Sequence, residues 1–335
     1  MTKKMKLRKG RILIVVVFII AIAFAFRVNT NSYKLGKIGY NKEEISQIED
    51  SLPKNVVNSI TKQEYHNDLG KIIANKAFKL NNLDNYLKLS KELGKYDVKV
   101  VDIVNEKYFK EKLGTRYINY YKKNNSLTSR QIVENVNCNL DYEYYKVDNK
   151  VDFSKGHLLL VNKFYKLEND YVPSTLVKID KKYGYERMLD KTVYNAFIEM
   201  YNDIEKEGMA LFITSPYRSY NYQQKLYNNY VTTNGQKMAD SFSAKPGYSE
   251  HQTGFAVDLA SKNSMYTRFQ NTKEYQWMLN NCYKYGFILR YPKDKEKQTG
   301  YMFEAWHYRY VGKKVAKYIH DNKITYDEYY EYFLN

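Results

Sequence analysis

The sequence predicts an α+β protein that follows a helical region and an N-terminal apolar helix, and three observations predict it. Apolar residues recur at helical spacing from Asn41 to about Lys150. Beyond that point short strand-like and helix-like runs alternate. At the N-terminus an uncharged apolar run, Ile12 to Phe26, follows the cations Lys3, Lys4, Lys6, Arg8, Lys9 and Arg11. With 335 residues, 16% of them aromatic, the chain can bury a sizeable core, and its length suits one to three domains.

A positive flank ahead of an apolar run is the layout of an export segment. At about 1.5 Å per residue the run spans roughly 22 Å against a hydrocarbon core of roughly 30 Å, so a cleaved signal peptide and an uncleaved anchor both stay open. Ala21-Ile22-Ala23 and Ala23-Phe24-Ala25 offer small-x-small cleavage patterns, while Arg27 directly after the run favours an anchor. Residues 1–27 are therefore expected to be a basic cytoplasmic stretch and a transmembrane anchor or signal segment. The rest would lie outside the cytoplasm, held at the cell membrane by a single pass, or secreted after cleavage.

Residues 28–150 form the expected linker and helical region. Asn29 to Gly39 reads as a polar linker. NKEEISQIEDSL starts with an Asn41 cap and acidic residues in its first turn and ends before Pro53. TKQEYHNDLGKIIANKAF, with Thr61 as its cap, LDNYLKLSKEL, VVDIVNEKY and SRQIVENVN are further helices. Their spacing is loosely repetitive without a clean period, and the region is expected to act as a spacer.

Residues 151–335 carry the mixed texture. HLLLVNKFYKL is a short apolar run, and DYVPSTLVKI follows with Pro173 limiting regular pairing. TVYNAFIEMYNDIEKEG reads as an amphipathic helix stopped by Gly208, ALFITS as a buried strand and NYQQKLYNNYVTT as a helix. WMLNNCYKYG is a helix with Gly286 at its C-cap, and FILRYP is a short strand. Cys138 and Cys282 stand alone, in no disulfide framework and no metal-ligand spacing, which predicts two buried free thiols.

The net charge of +17 is spread along the chain, with no zinc-finger, RNP-type or basic-zipper pattern. Nucleic acid is therefore not the expected partner.

The chemistry gathers in SEHQTGFAVDL. If GFAVDL is a strand, Phe255, Val257 and Leu259 take the core face, and Asp258 is presented on the other among small neighbours. His251 lies in the approach, and Gly254 lets the backbone turn between them. An imidazole and a carboxylate are two of the three protein ligands that a catalytic zinc needs. Of the chain's five histidines, His307 is set apart by YMFEAWHYRYVG, with Glu304 three residues before it. His251, Asp258 and His307 as ligands would leave Glu304 free to take a proton from the attacking water. A regular strand over MFEAWHYRY would turn Glu304 and His307 to opposite faces, so a bend is required there. Arg218, in TSPYRSYNYQQ between a strand and a helix, suits a carboxylate through its planar donor fork, and Gln223 can add an amide. The competing readings are that Glu304 pairs with Arg309 or Lys313, and that Arg218 pairs with an acidic residue of its own domain.

SPYRSYNYQQKLY, KPGYSEHQTGFAVDL and GFILRYPKDKEKQTGYMFEAWHYRYVG, in that order and spacing, resemble the zinc D-alanyl-D-alanine carboxypeptidases of the VanY type. That group also holds lysostaphin-type peptidases and the hedgehog signalling domain. The resemblance covers about residues 155 to 320. It implies a small antiparallel sheet flanked by helices, Zn2+ on His251, Asp258 and His307, and Glu304 as catalytic base. It also implies Arg218 on the terminal carboxylate of a peptidoglycan stem peptide, with Gln223 and Ser249 lining the cleft. An L,D-carboxypeptidase acting on the tetrapeptide, or a silent wall-binding domain of the same fold, stays open. Two positions depart from the family pattern: Ala305 replaces a common Pro, which would loosen the placement of Glu304, and Lys245 replaces a common Arg.

Overall fold

In the computed structural model, which describes residues 2–147, 149–262 and 264–335, the chain divides into two compact units between Val133 and Glu134. This division falls earlier than the boundary expected near residue 150. Residues 134–150 pair within the second unit: Asn139 Nδ2 donates to Glu331 Oε1 at 3.3 Å, and Asn149 N–H to Phe164 O at 3.0 Å.

The first unit is helical: α1 (Thr2–Val28), α2 (Asn31–Ile38), α3 (Lys42–Ser51), α4 (Lys54–Ile60), α5 (Leu69–Ile73), α6 (Leu83–Leu93), α7 (Val98–Asn105), α8 (Gly114–Lys123) and α9 (Ser129–Asn137), the last running across the division. In α1, Val17, Phe18, Ile19, Ile20, Phe24 and Phe26 are all exposed. Among the described residues no single helix is long and apolar enough to cross a membrane, and the pair Val16–Val28 with Asn31–Ile38 that passes together is bent by 64°.

Asn41 caps α3 as the sequence predicts, in a reciprocal box with Glu44 at 2.9 and 2.8 Å. Thr61 does not start a helix. It closes α4, donating its N–H to Val57 O at 3.0 Å, and the stretch behind it is helical only over α5. Side chains have taken the amides that a longer helix would need: His66 N–H donates to Tyr40 Oη and Asp68 N–H to His66 Nδ1.

A period of 31 residues, not evident in the sequence, runs through the last four helices. The turn Glu111–Leu113, α8 and α9 each begin 31 residues after Leu80–Asn82, α6 and α7. The same offset relates two ring pairs, Phe78 on Tyr86 at 5.9 Å and Phe109 on Tyr117 at 5.4 Å. Elsewhere the copies diverge for packing reasons. Leu83 in the first becomes Gly114 in the second, where a Cβ would sit 2.9 Å from Leu89 Cδ2.

The second unit opens with two short ladders, β1 (Asn149–Lys150) parallel to β2 (Tyr165–Lys166) and β3 (Leu176–Lys178) antiparallel to β4 (Met188–Asp190). Then come α10 (Lys191–Lys206), β5 (Leu211–Ser215), α11 (Tyr220–Asn234), α12 (Gln236–Phe242), β6 (Ala256–Ser261), α13 (Lys273–Asn281), β7 (Phe287–Leu289), α14 (Glu296–Thr299), β8 (His307–Tyr310), α15 (Lys313–Asn322) and α16 (Tyr326–Phe333). Strands β5, β6, β8 and β7 pair in that order, each antiparallel to its neighbour. The α+β class and the small antiparallel sheet are as expected. One core joins Phe197 and Met200 of α10, Met278 of α13, Val257 and Leu259 of β6 and Tyr308 of β8. A second gathers Leu160, Val161, Ile288, Val311, Ile319 and Tyr326. Cys138 and Cys282 are buried and free.

Tyr86 and Tyr117 are fully buried at equivalent repeat positions. Tyr86→Ala and Tyr117→Ala are each expected to cost about 3–5 kcal/mol, the usual penalty for emptying a buried aromatic site, read from urea unfolding of the helical unit's signal in the full chain.

Candidate active site

His251 sits in a one-turn 3-10 helix, Glu250–Thr253, that ends on Gly254 at φ +73°. A Cβ at Gly254 would meet Leu176 Cδ2 at 3.1 Å and Asp190 N at 3.3 Å, so glycine answers both the left-handed turn and the close approach. The turn points the imidazole inward, where Nδ1 lies 2.8 Å from Pro216 O. Only a protonated Nδ1 satisfies that carbonyl, which leaves the lone pair on Nε2.

Strand β6 divides its side chains as expected, with Val257 and Leu259 in the core and Asp258 facing the opposite way, lining the cleft. Asp258 lies directly across the β6–β8 ladder from His307 and across the β5–β6 ladder from Ser215. His307 Nδ1 is 3.1 Å from Asp258 Oδ1, and His251 Nε2 is 3.4 Å from the same oxygen. The bend required near Glu304 is present. Strand β8 begins only at His307, whose N–H returns to Glu304 O at 3.3 Å, and this turn brings Glu304 Oε2 to 3.8 Å from His307 Nδ1. Ala305 does not free this segment: it is fully buried in the core, and Glu304 N–H donates to Tyr291 O at 3.1 Å.

The donor atoms of His251, Asp258 and His307 lie within 4.8 Å of one another, all three residues buried. Zinc bonds of about 2.0–2.1 Å in a tetrahedron place neighbouring donors roughly 3.3 Å apart, so the two contacts at Asp258 Oδ1 match that spacing. Two imidazoles and one carboxylate are a catalytic zinc set with one position left for water or substrate. The residues fit the ion. The other histidines have different surroundings: His66 Nε2 meets Leu87 O, His157 rests on the Tyr310 ring, and His320 Nδ1 meets Asp321.

Burial sets the electrostatics, and neighbouring charges then sort the groups. Burial pushes Asp258 up, but the Arg218 charge and the hydrogen bond from His307 hold it well below the usual carboxylate range. Burial and the Arg218 charge push His251 down to about 4, which keeps it neutral. For His307 burial acts downward, yet the hydrogen bonds to Asp258 and Glu250 raise it to about 9. Burial lifts Glu304 to about 8 against the pull of His307.

Arg218, Gln223 and Ser249 line the same cleft of about 1310 Å³ as Glu304 and the three donors. Arg218 pairs with Asp258 through Nη2 and donates from Nε to Ser215 Oγ at 2.7 Å, so the competing reading, an acidic partner in its own domain, describes its present contacts. Gln223 Nε2 donates to Ala244 O at 2.8 Å, and its Oε1 has no hydrogen-bond partner. Glu304 pairs with neither Arg309 nor Lys313; Arg309 meets Glu250 and Lys313 meets Glu199. Lys245, the second departure, lies over the Tyr145 ring at 4.4 Å. The sequence reading missed one buried cluster behind His307, formed by Glu250, Arg290, Arg309 and Asp327. The available signal was charge inside short apolar strands, Arg290 after FIL and Arg309 within HYRY, because arginines there must find buried partners.

Residues 186–313 match the sequence profile of the VanY family, described as D-alanyl-D-alanine carboxypeptidase. YodJ of Bacillus subtilis (strain 168), a carboxypeptidase by name, is 41% identical over 212 residues, which are 59% of this chain and 78% of YodJ. The D-alanyl-D-alanine carboxypeptidase of Enterococcus faecium is 35% identical over 191 residues, covering 53% of this chain and 58% of that one. Among solved structures, the LdcB LD-carboxypeptidase superposes with a TM-score of 0.52 at 40% identity, covering 57% of this chain and 94% of LdcB. The stretch that the family profile matches contains His251, Asp258, Glu304 and His307, and the chain belongs to the VanY family of D-alanyl-D-alanine carboxypeptidases.

Proposed function

We propose that the chain removes the terminal D-alanine from peptidoglycan stem peptides outside the cytoplasm. The observation that carries this reading is a buried carboxyl, Glu304, standing 3.8 Å from one of three convergent donors in an open cleft. His251, Asp258 and His307 would hold Zn2+, which when bound would supply Lewis acidity to the scissile carbonyl and lower the pKa of water toward about 7. Glu304 accepts the proton of the attacking water and returns it to the leaving amine; its carboxylate form is favoured by any cation on the three donors. Arg218 reads the free carboxylate of the substrate, with Gln223 and Ser249 beside it, which makes the enzyme exo-acting.

A second reading, cleavage of the tetrapeptide by L,D specificity, is favoured by the likeness to LdcB. Both are tested by incubating the chain with synthetic pentapeptide and tetrapeptide, with and without chelator, and following D-alanine by mass spectrometry. Chelator-sensitive release from the pentapeptide is expected; release from the tetrapeptide alone assigns the L,D class. No release from either by zinc-loaded chain leaves only a wall-binding role.

Glu304→Gln is expected to lower kcat by about 10²–10⁴ with zinc still bound, the usual contribution of a general base. The same residue gives the chelated chain a pH signature. Its folded value of about 8 exceeds the ordinary 4.5, so the folded state holds a proton that the unfolded state has released, and stability is lost as the pH rises from 4.5 through about 8. Glu304→Gln should flatten that loss, measured as urea midpoints of chelated wild type and variant across this range.

The exposed apolar side chains around α1 support a membrane anchor, since a helix apolar on all sides needs lipid or protein around it. The catalytic unit then lies outside the cytoplasm, where the net charge of +17 favours an anionic wall. Alkaline carbonate extraction is expected to leave the full chain in the membrane pellet and to release a chain lacking residues 2–28. A soluble product cleaved after Ala23 or Ala25 would replace the anchor by a signal peptide.

A further inference from the structure

Behind His307, on the side away from Asp258, lies a cluster of four buried charges. Glu250 Oε2 is 3.4 Å from His307 Nε2. The other oxygen, Oε1, accepts from Arg290 Nε at 2.8 Å and from Arg309 Nη1 at 3.0 Å, so two guanidinium groups fix one end of the carboxylate and leave the other to the imidazole. Arg290 continues to Asp327 in the first turn of α16, Nη1 to Oδ2 at 2.5 Å and Nη2 to Oδ1 at 3.1 Å. Asp327 Oδ1 also accepts from Asn162 Nδ2 at 2.8 Å. The remaining donors of Arg309 meet carbonyls, Nη2 those of His157 and Leu159 and Nε that of Tyr310. The side chains of Glu250, Arg290 and Arg309 are fully buried, and that of Asp327 is 3% exposed.

Two arginines face two carboxylates, so the cluster is charge-balanced without the histidine. Glu250 therefore needs no cation from His307; it needs a donor. The neutral imidazole that a metal ion requires is that donor when it is protonated on Nε2, and it then leaves its lone pair on Nδ1, the nitrogen 3.1 Å from Asp258 Oδ1. His251 has the opposite arrangement, with Nδ1 toward Pro216 O and Nε2 toward Asp258. Two acceptors of different kind, a carbonyl and a braced carboxylate, thus select opposite tautomers in the two rings.

We infer that Glu250 is a positioning residue for the metal site: braced by Arg290 and Arg309, and through Arg290 by Asp327 of α16, it holds His307 in the Nε2–H tautomer and aims Nδ1 at the ion. This rests on His307 being a ligand. Partners of this kind on ligating histidines are worth about 10–100-fold in metal affinity.

Glu250→Gln is the direct test. Its amide oxygen goes to the two arginines, which can only donate, and the NH2 then faces His307. The ring must accept on Nε2 and carry its proton on Nδ1, the wrong tautomer for binding. In the chelated full chain with histidines labelled by 15N, at a pH above the value of about 9 to which His307 is raised, so that its ring is neutral, long-range correlation spectra are expected to show His307 protonated on Nε2 in the wild type and on Nδ1 in Glu250→Gln. Competition against a chromophoric chelator is expected to show Zn2+ held about 10–100-fold more weakly by the variant. An unchanged tautomer, or a folded variant that binds Zn2+ like the wild type, overturns the inference. Should Glu250→Gln fail to fold, Glu250→Asp keeps a charge for the arginines and withdraws it from His307. It is expected to weaken Zn2+ about 10-fold, and wild-type affinity in it overturns the inference equally. His307→Ala separates the two levels: if it still binds Zn2+ as the wild type does, the ligand assignment is at fault.

Discussion

The register between β6 and β8 is the constraint on which the site depends. Asp258 and His307 are direct partners across that ladder. A slip of one residue would turn one of them to the opposite face of the sheet. The register is held from the other side, where Val257, Leu259 and Tyr308 are fully buried in the core. Packing energy that has nothing to do with metal chemistry therefore decides where the two donors meet. The third donor comes from a turn, and Gly254 and the Pro216 carbonyl take over the role that a ladder plays for the other two.

The convergence of His251, Asp258, Glu304 and His307 was legible in the sequence because each lies in a short segment whose spacing expresses its geometry: alternation in GFAVDL, a glycine before it, an acid three residues ahead of a histidine. The bend at Glu304 was required by that reading but not derivable from it. It arises because β8 starts no earlier than His307, and the strand's start depends on Leu259 N–H pairing with Trp306 O from another strand. Long-range pairing also explains why the contacts divide before residue 150, since Asn139 finds Glu331 nearly two hundred residues on. Thr61 was misread for a local reason: threonine caps helices, and here side chains of Tyr40 and His66 hold the following backbone in turns. The 31-residue repeat stayed hidden because few positions keep their identity, the ring pairs among them, while positions such as Leu83 and Gly114 differ to fit their neighbours.

Burying Glu250, Arg290, Arg309 and Asp327 together has no obvious stability rationale. Taking ion pairs out of water costs about what their attraction returns, and apolar replacements of similar volume are often neutral or better. The cluster does something an apolar packing cannot: it presents one carboxylate oxygen, in one orientation, to one ring nitrogen. A carboxylate held only by His307 could rotate with it. Held by two guanidinium groups on the opposite oxygen, it has little freedom left, and the ring inherits that rigidity.

The cleft thus combines groups that burial drives in opposite directions. Glu304, with no cation hydrogen-bonded to it, is lifted by burial, whereas Asp258 and Glu250, equally buried, are held low because arginines and histidines stand against them. Three carboxylates close to one imidazole therefore differ by their neighbours and not by their chemistry. The one with no cation hydrogen-bonded to it is the one whose affinity for protons suits the transfer of a proton, and the two paired ones keep fixed charge where geometry has to be maintained.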